Sequence, residues 1–445
     1  MTESLLFLTG HLAHDNLCRE LEALPEPPFT WRVENIRVKV AALMTTSIIS
    51  RRLENTDGID RVILPGLVLG ELDELQQRFG IPFERGPVDL RDLPEFFGSP
   101  NRQQDLSTHA VDIFAEIVDA PHLELDEILA SARDYQQQGA DVIDIGCLPD
   151  IPFPHLADTV ALLKQEGFRV SVDSLDTEDL LTGGRAGADY LLSLKESTLW
   201  LLDEVDSVPV LIPEQQQDLP SLYRAIEGVQ KKGRAFFADP ILDPFPFGFT
   251  DAIVRYHTLR ADHPACRILM GTGNVTELID ADTGGITAVL MSIITELRID
   301  ALLTTQVSGH ARSVVRETDL ARRIMYASRR DGSLPRRYDD GLMMVHDKKP
   351  FPYSAAEIAE LAAAVTDPSY RIQVSDDGIH LYNRDGLAVA CDPFDLQEGI
   401  DVGDDLSHMF YLGVELGKAS IAWQLGKRYL QDNDIDWGVA GRVDS

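Results

Sequence analysis

Short unbroken apolar runs alternate along this chain with longer stretches whose apolar positions recur every three or four residues, the pattern of buried parallel strands followed by amphipathic helices. Leu5, Leu6, Phe7 and Leu8 make the first such run, closed by Thr9-Gly10, and a helical pattern follows from Asp15 to Leu24. A second helical stretch is expected from Val38 to Leu53, a buried strand over Arg61–Pro65 and an amphipathic helix over Glu71–Phe79. The alternation predicts a small Rossmann-like α/β layer domain over residues 1–105. Its end is marked by Pro94, Gly98 and Pro100 within 88–104, the expected linker.

From Val111 onward the runs 113–118, 141–146, 169–173, 189–194, 208–212, 235–239, 267–271 and 300–304 are each followed by a helix-compatible stretch. Eight β/α units predict a (β/α)8 barrel over 106–332, with a doubly wound open sheet as the alternative, because periodicity does not establish closure. Ile128, Ala132 and Tyr135 share one helix face, while Asp126 and Asp176 stand where helix N-caps belong. After residue 330 the texture changes to strand-like runs at 370–374, 378–382 and 387–391, punctuated by Asp377-Gly378 and Asp385-Gly386. A small α+β domain is expected over 333–445. Its last helix carries a stripe of Leu406, Met409, Leu412, Leu416, Ala419 and Trp423, to be buried against the domain or a partner subunit, and a homodimer is one expectation. The acidic tail after Gln431 is expected to fray.

Composition narrows the function classes. The 445 residues carry 73 acidic and 40 basic side chains, a net charge of −33, which disfavours nucleic acid and anionic lipid as partners. Cys18, Cys147, Cys266 and Cys391 are scattered without a CxxC pair, so neither a disulfide framework nor a zinc site is expected. No signal peptide or membrane-length apolar run is found, which predicts a cytoplasmic protein. With no HExxH or similar spacing, no metal is expected.

In a β/α barrel the reactive groups belong at the C-terminal strand ends. Those ends offer Glu116 and Asp119, then Asp144, Asp173, Ser193 with Lys195, Asp239 before Pro240, Asn274, and finally Thr304, Thr305, Gln306 and His310. Carboxylates in so apolar a setting are costly unless paired, and a ligand edge bearing N–H donors would pair them. The competing assignment for Asp144 and Asp173 is helix capping or bonding of loop amides. GTGN (271–274) lacks a full dinucleotide fingerprint and fits a tight βα turn. Thr9-Gly10-His11 with His14 ends the first strand of an α/β layer, where a second ligand site or a plain helix-start loop are both open.

Four segments in order carry a resemblance: GADVIDIG (139–146), SVDS (171–174), RAGADYLLSL (185–194) and ADP (238–240). This is the order of strand motifs in dihydropteroate synthases. GTGNV (271–275) is similar instead to the matching segment of corrinoid-linked methyltetrahydrofolate methyltransferases, which share the pterin-binding barrel. The whole layout resembles dihydropteroate synthase-related proteins associated with tetrahydromethanopterin metabolism. The resemblance implies a small-molecule reduced pterin, of tetrahydromethanopterin or folate type, as ligand or substrate. Asp173 and Asp239 would bind its donor edge, Asn274 would make the strand-7 contact, Asp144 would support from the floor, and Ser193 stands where the synthases have Asn. It also implies a transferase that joins a pterin-6-methyl diphosphate to an arylamine.

The departures bear on that reaction. CLPDIPF (147–153) has no hydroxyl or Arg where the synthases have an STRPG-like loop, VDAP (118–121) replaces Asn-x-Thr-Pro, and the strand-7 Ser-Arg-Lys is missing. A leaving diphosphate needs cationic or N–H stabilisation, and only Lys195, His310 and Arg312 are obvious suppliers. The alternatives are therefore a pterin-binding or C1-carrier protein without diphosphate chemistry, and a degenerate barrel kept as a scaffold.

Overall fold

A computed structural model describes residues 2–24, 27–41, 44–98 and 105–441. Its contacts divide the chain into two units, Met1–Ser107 with Ala327–Tyr338, and Thr108–Tyr326 with Asp339–Ser445.

The first unit is built on four parallel strands, β1 (Glu3–Thr9), β2 (Phe29–Asn35), β3 (Arg61–Leu64) and β4 (Phe83–Arg85), in the order β2-β1-β3-β4. The run Leu5 to Leu8 is apolar throughout because β1 is covered on both faces. Leu5 and Phe7 pack with Leu17 and Leu21, while Leu6 and Leu8 pack with Ile49 and Leu75. Two expectations need correction, and one strand was not expected. The strand β2 lay unread in the alternation of Phe29, Trp31 and Val33 with Thr30, Arg32 and Glu34. The helix expected from Val38 is confined to Thr46–Arg52, capped by the Thr45 side chain. Upstream, residues 38–41 are held in extended contact over Gly10, with His11 N donating to Val38 O at 2.7 Å. A Cβ on Gly10 would meet Val38 O and Ala41 N at 2.7 Å, so the glycine permits this crossing. Much of the expected linker is structure too: Leu93 is buried and Phe97 lies 4.4 Å from Phe29 between ring centroids, while residues 99–104 lie outside the described part.

In the second unit, β5 (Asp112–Ile117), β6 (Val142–Gly146), β7 (Val170–Asp173), β8 (Tyr190–Leu194), β9 (Val208–Leu211), β10 (Phe237–Ala238), β11 (Arg267–Gly271) and β12 (Ala301–Thr305) close into a parallel barrel. The first strand pairs with the last, Ala301 to Thr305 against Asp112 to Glu116. This is the expected (β/α)8 architecture, with a 3-10 stretch over Glu196–Asp203 standing in for the helix after β8. Asp176 caps its helix as expected, accepting from Glu178 N, whereas Asp126 lies in the first turn of a helix capped by Glu124.

The bore is filled, not open. Phe114, Tyr190 and Phe237 meet edge to face with centroids 5.0 to 6.2 Å apart, and Val142, Leu192, Val210 and Leu269 complete the plug. Strand alternation then dictates the next layer: two residues beyond Phe114 is Glu116, and two beyond Val142 is Asp144.

At the opposite end, Arg322 on the helix Val314–Asp331 is almost wholly buried. Its guanidinium donates to Val111 O, to Gly139 O at 2.9 Å, to Asp319 at 2.7 Å and to Asp141. Asp141 in turn accepts from Ile113 N at 2.9 Å. One side chain from the last barrel helix thus pins the entry of the first two strands.

The rest of this unit is an antiparallel sheet, β13 (Arg371–Ser375), β14 (Gly378–Asn383) and β15 (Gly386–Ala390). The helix Leu406–Leu425 packs on it through Leu412, Leu416, Ala419 and Ala422, and the helix Ala355–Ala363 meets Tyr382 through Ile358 and Ala362. The expected stripe is thus buried only in its second half, since Leu406 and Met409 are exposed. Nor does the tail fray directly after Gln431. Tyr411 Oη donates to Asp432 at 2.6 Å and Val439 N to Gly341 O at 3.0 Å; residues 442–445 lie outside the described part. No helix among the described residues is long and apolar enough to cross a membrane.

Replacing Arg322 by Met leaves Asp141 and Asp319 without their buried partner. We expect a loss of about 3–5 kcal/mol in barrel stability, seen as a lower urea midpoint of the unit that contains it. An unchanged midpoint would show that the pin contributes nothing.

Candidate functional site

Above the aromatic plug, the first three strands each send a carboxylate inward at their C-terminal ends. Glu116 on β5 is in register with Asp144 on β6, and Asp144 with Ser171 on β7; Asp173 stands one layer further out, opposite Gly146. One carboxylate oxygen from each of Glu116, Asp144 and Asp173 lies within 4.8 Å of the others. Two hydroxyls orient the pair of aspartates. Ser171 Oγ donates to Asp144 Oδ1, and Ser193 Oγ donates to Asp173 Oδ1 at 2.6 Å. Gly146 makes room for the group, since a Cβ there would come within 2.5 Å of Glu116 Oε1.

Across the mouth, Asp239 follows β10. Its Oδ1 accepts from Tyr256 Oη at 2.5 Å and from Ile241 N at 2.7 Å, so its position is set by the next helix and by its own loop. Ile241 is held at a φ of +66°, a costly conformation for a β-branched residue. Arg255 secures it, donating to Ile241 O at 2.9 Å while paired with the fully buried Asp243 at 2.8 Å. Ser193 also has a positive φ, +68°, at an irregularity in the pairing of β8 with β9.

The electrostatics follow from this crowding. Burial, then the neighbouring Asp173, pushes Glu116 up to about 8. Burial also raises Asp144 well above the usual carboxylate range, with Asp173 and Glu116 adding to it and Ser171 opposing it. Asp173 is raised by burial against the Ser193 hydrogen bond. Asp239 reaches about 6, because burial and Asp173 outweigh the bonds from Tyr256, Ile241 and Gly271. Cys147, beside these acids, is kept a thiol by burial. Such perturbed acids, gathered at a barrel mouth, are able to accept N–H donors, to hold a cation, or to exchange a proton.

The structure therefore brings Asp144, Asp173, Ser193 and Asp239 together, and adds Glu116, Ser171 and Tyr256. Asn274 sits on the exposed start of the turn Gly273–Thr276 and donates its Nδ2 to Leu242 O at 2.8 Å. The expected anion-binding trio is not assembled by any mutual contact. His310 Nε2 lies 3.2 Å from Thr276 O, Lys195 is half-buried, and Arg312 is exposed beyond β12. Glu116 was visible as a strand-end acid, but its partnership with Asp144 needs the β5–β6 register. Tyr256 carries no local signal, because it reaches Asp239 from a helix 17 residues later. In the N-terminal unit, His11, His14, Asp15 and Asn35 line an open recess of about 380 Å³, with His14 Nδ1 3.0 Å from Asp15.

Fold and site together define a β/α barrel with an acid-lined mouth. A family model described as a family of unknown function, DUF6513, matches residues 3–88, within the N-terminal unit. Over nearly its whole length the chain is similar to the uncharacterized protein MJ0107 of Methanocaldococcus jannaschii, 24% identical, covering 97% of this chain and 98% of that one. Among solved structures it is similar to a Yersinia pestis dihydropteroate synthase bound to a pterine-sulfa conjugate, 19% identical over 51% of this chain and 96% of that one, with a TM-score of 0.39. A Coxiella burnetii dihydropteroate synthase in complex with pteroic acid is 17% identical over 52% of this chain and 96% of its own, with a TM-score of 0.40.

Asp239 gives a pH test. Its carboxyl titrates higher in the fold than its ordinary 3.8, so the stabilisation it gives when protonated is lost as pH rises through about 6. Asp239→Asn keeps an oxygen for Tyr256 and Ile241 but never ionises. The ligand-free variant should gain about 1–3 kcal/mol over the parent at pH 8 and almost nothing at pH 4. Thermal unfolding across that range checks it; a gain independent of pH would contradict the assignment.

Proposed function

We propose that the barrel mouth binds a reduced pterin, of the tetrahydromethanopterin or folate type, through its acidic wall. The observation that carries this reading is the orientation of Asp173 and Asp239. Each has one oxygen fixed by a hydroxyl of the protein, Ser193 for the first and Tyr256 for the second. Each therefore keeps a second oxygen for the parallel donors of a pterin, the 2-amino and N3–H groups. The motif order in the sequence supports the same ligand. Asn274 retains its Oδ1 at the rim for a further contact, since its Nδ2 is engaged.

On this reading the fuller activity is that of a dihydropteroate synthase-like transferase in tetrahydromethanopterin biosynthesis. A pterin-6-methyl diphosphate would lose diphosphate as its exocyclic carbon bonds the nitrogen of an arylamine, which gives up a proton. The acids would favour positive charge developing on the pterin, and Lys195, His310 and Arg312 would receive the diphosphate. A second reading, a pterin-binding or C1-carrier protein without diphosphate release, is favoured by the lack of mutual contact among Lys195, His310 and Arg312 and by the hydroxyl-free loop after β6.

Calorimetric titration with a reduced pterin tests the binding. Asp239→Asn should weaken it roughly thirtyfold or more, the consequence of losing about 2–5 kcal/mol from a buried charge-assisted pair. Unchanged affinity in the folded variant would place the pocket elsewhere. Diphosphate release with both substrates present separates the two readings: release above background supports the transferase, whereas pterin binding with no release supports the carrier.

A further inference from the structure

We propose that Glu116, Asp144 and Asp173 form a binding site for one divalent cation of the hard, oxygen-seeking class, such as Mg²⁺, Mn²⁺ or Ca²⁺. The site shares Asp173 with the proposed pterin pocket but not Asp239 or Asn274, and its test is made without pterin.

Three observations converge on it. The first is the donor set: three carboxylates from three adjacent strands, each with an oxygen within 4.8 Å of the other two and no histidine or thiol in the group. Two oxygens on opposite sides of a calcium ion, each roughly 2.4 Å from it, lie about 4.8 Å apart, so oxygens no farther apart than this are within the span of one coordination sphere. An all-oxygen set selects hard divalent ions over zinc.

The second is an orphaned atom. Asp144 is fully buried and its Oδ2 has no hydrogen-bond partner among the described residues, although Oδ1 is held by Ser171. An unpartnered buried carboxylate oxygen is expensive, and this carboxyl group also stands beside two others of its own charge. A cation supplies both the missing partner and the compensating charge.

The third is the shell behind the ligands. Ser171 and Ser193 each fix one oxygen of an aspartate, the arrangement in which neighbouring hydrogen bonds aim a metal ligand. Gly146 leaves the space that the Glu116 carboxylate occupies. The ion-paired Lys and Arg side chains nearest in sequence are engaged elsewhere: Arg133 with Glu166, Lys164 with Asp189, Arg169 with Asp112, and Arg185 with Glu204. None of those pairs includes a member of the trio.

The test uses the full chain, stripped with a chelator, free of pterin, and titrated with Mn²⁺ while the electron paramagnetic resonance signal of the free ion is followed. We expect saturable uptake of one Mn²⁺ per chain, competed by Mg²⁺ or Ca²⁺. Glu116→Gln and Asp144→Asn should each weaken uptake at least ~10-fold, and Ser171→Ala, which keeps all three carboxylates, by roughly 10-fold. Glu227→Gln, at an exposed position on the helix Leu219–Lys231, should stay within about 3-fold of the parent, short of the tenfold step that marks loss of a positioning group. Thermal unfolding without metal verifies that each variant is folded. No saturable uptake by the folded parent would overturn the proposal and leave shared protons as the partner of Asp144. So would uptake unchanged in folded Asp144→Asn.

Discussion

Ionised carboxylates resist leaving water, and four of them converge on one barrel mouth above an aromatic floor. That conflict organises the second unit. The period-2 alternation that fills the bore with Phe114 and Val142 necessarily lifts Glu116 and Asp144 into the layer above. Nearby devices soften the cost without removing it: two serine hydroxyls, the Tyr256 phenol, a backbone N–H from a strained Ile241, and a glycine that gives Glu116 space. What remains is a site in want of donors or of positive charge.

The barrel was legible because buried parallel strands leave near-continuous apolar runs, and all eight runs fall on β5 through β12. Asp144, Asp173 and Asp239 were legible as strand-end acids in apolar runs, with helix capping as the competing assignment for the first two. What sequence could not supply is whatever depends on register or on distant pairing. The Glu116–Asp144 row, the reach of Tyr256 across to Asp239, and the left-handed backbone at Ile241 and Ser193 each arise only when the strands are side by side. The absence of a metal motif in the sequence has the same origin, since donors on three separate strands have no characteristic spacing.

The misses in the flanking regions have local causes. Residues 38–41 carry helix-compatible side chains, but they are drawn across Gly10 by two backbone bonds, and the helix begins only where Thr45 can cap it. β2 follows the strand alternation and was masked by its charged residues, Arg32 and Glu34, which are acceptable on the edge of a sheet. On the C-terminal helix, periodicity identified a stripe correctly but not its length, because the sheet beneath covers only the turns from Leu412 onward.

Arg322 carries a consequence for the order of events during synthesis. The groups it ties down, Val111 O, Gly139 O and Asp141, precede it by 211, 183 and 181 residues. Until that helix has left the ribosome, Asp141 lacks its guanidinium and the edge of β5 lacks β12. A growing chain that has completed β5 through β11 is thus an open sheet with an unpaired first strand, the kind of edge that pairs with other chains. Closure comes late and from one end, so the vulnerable interval in the life of this barrel is the time translation takes to pass from β11 to the end of the helix Val314–Asp331.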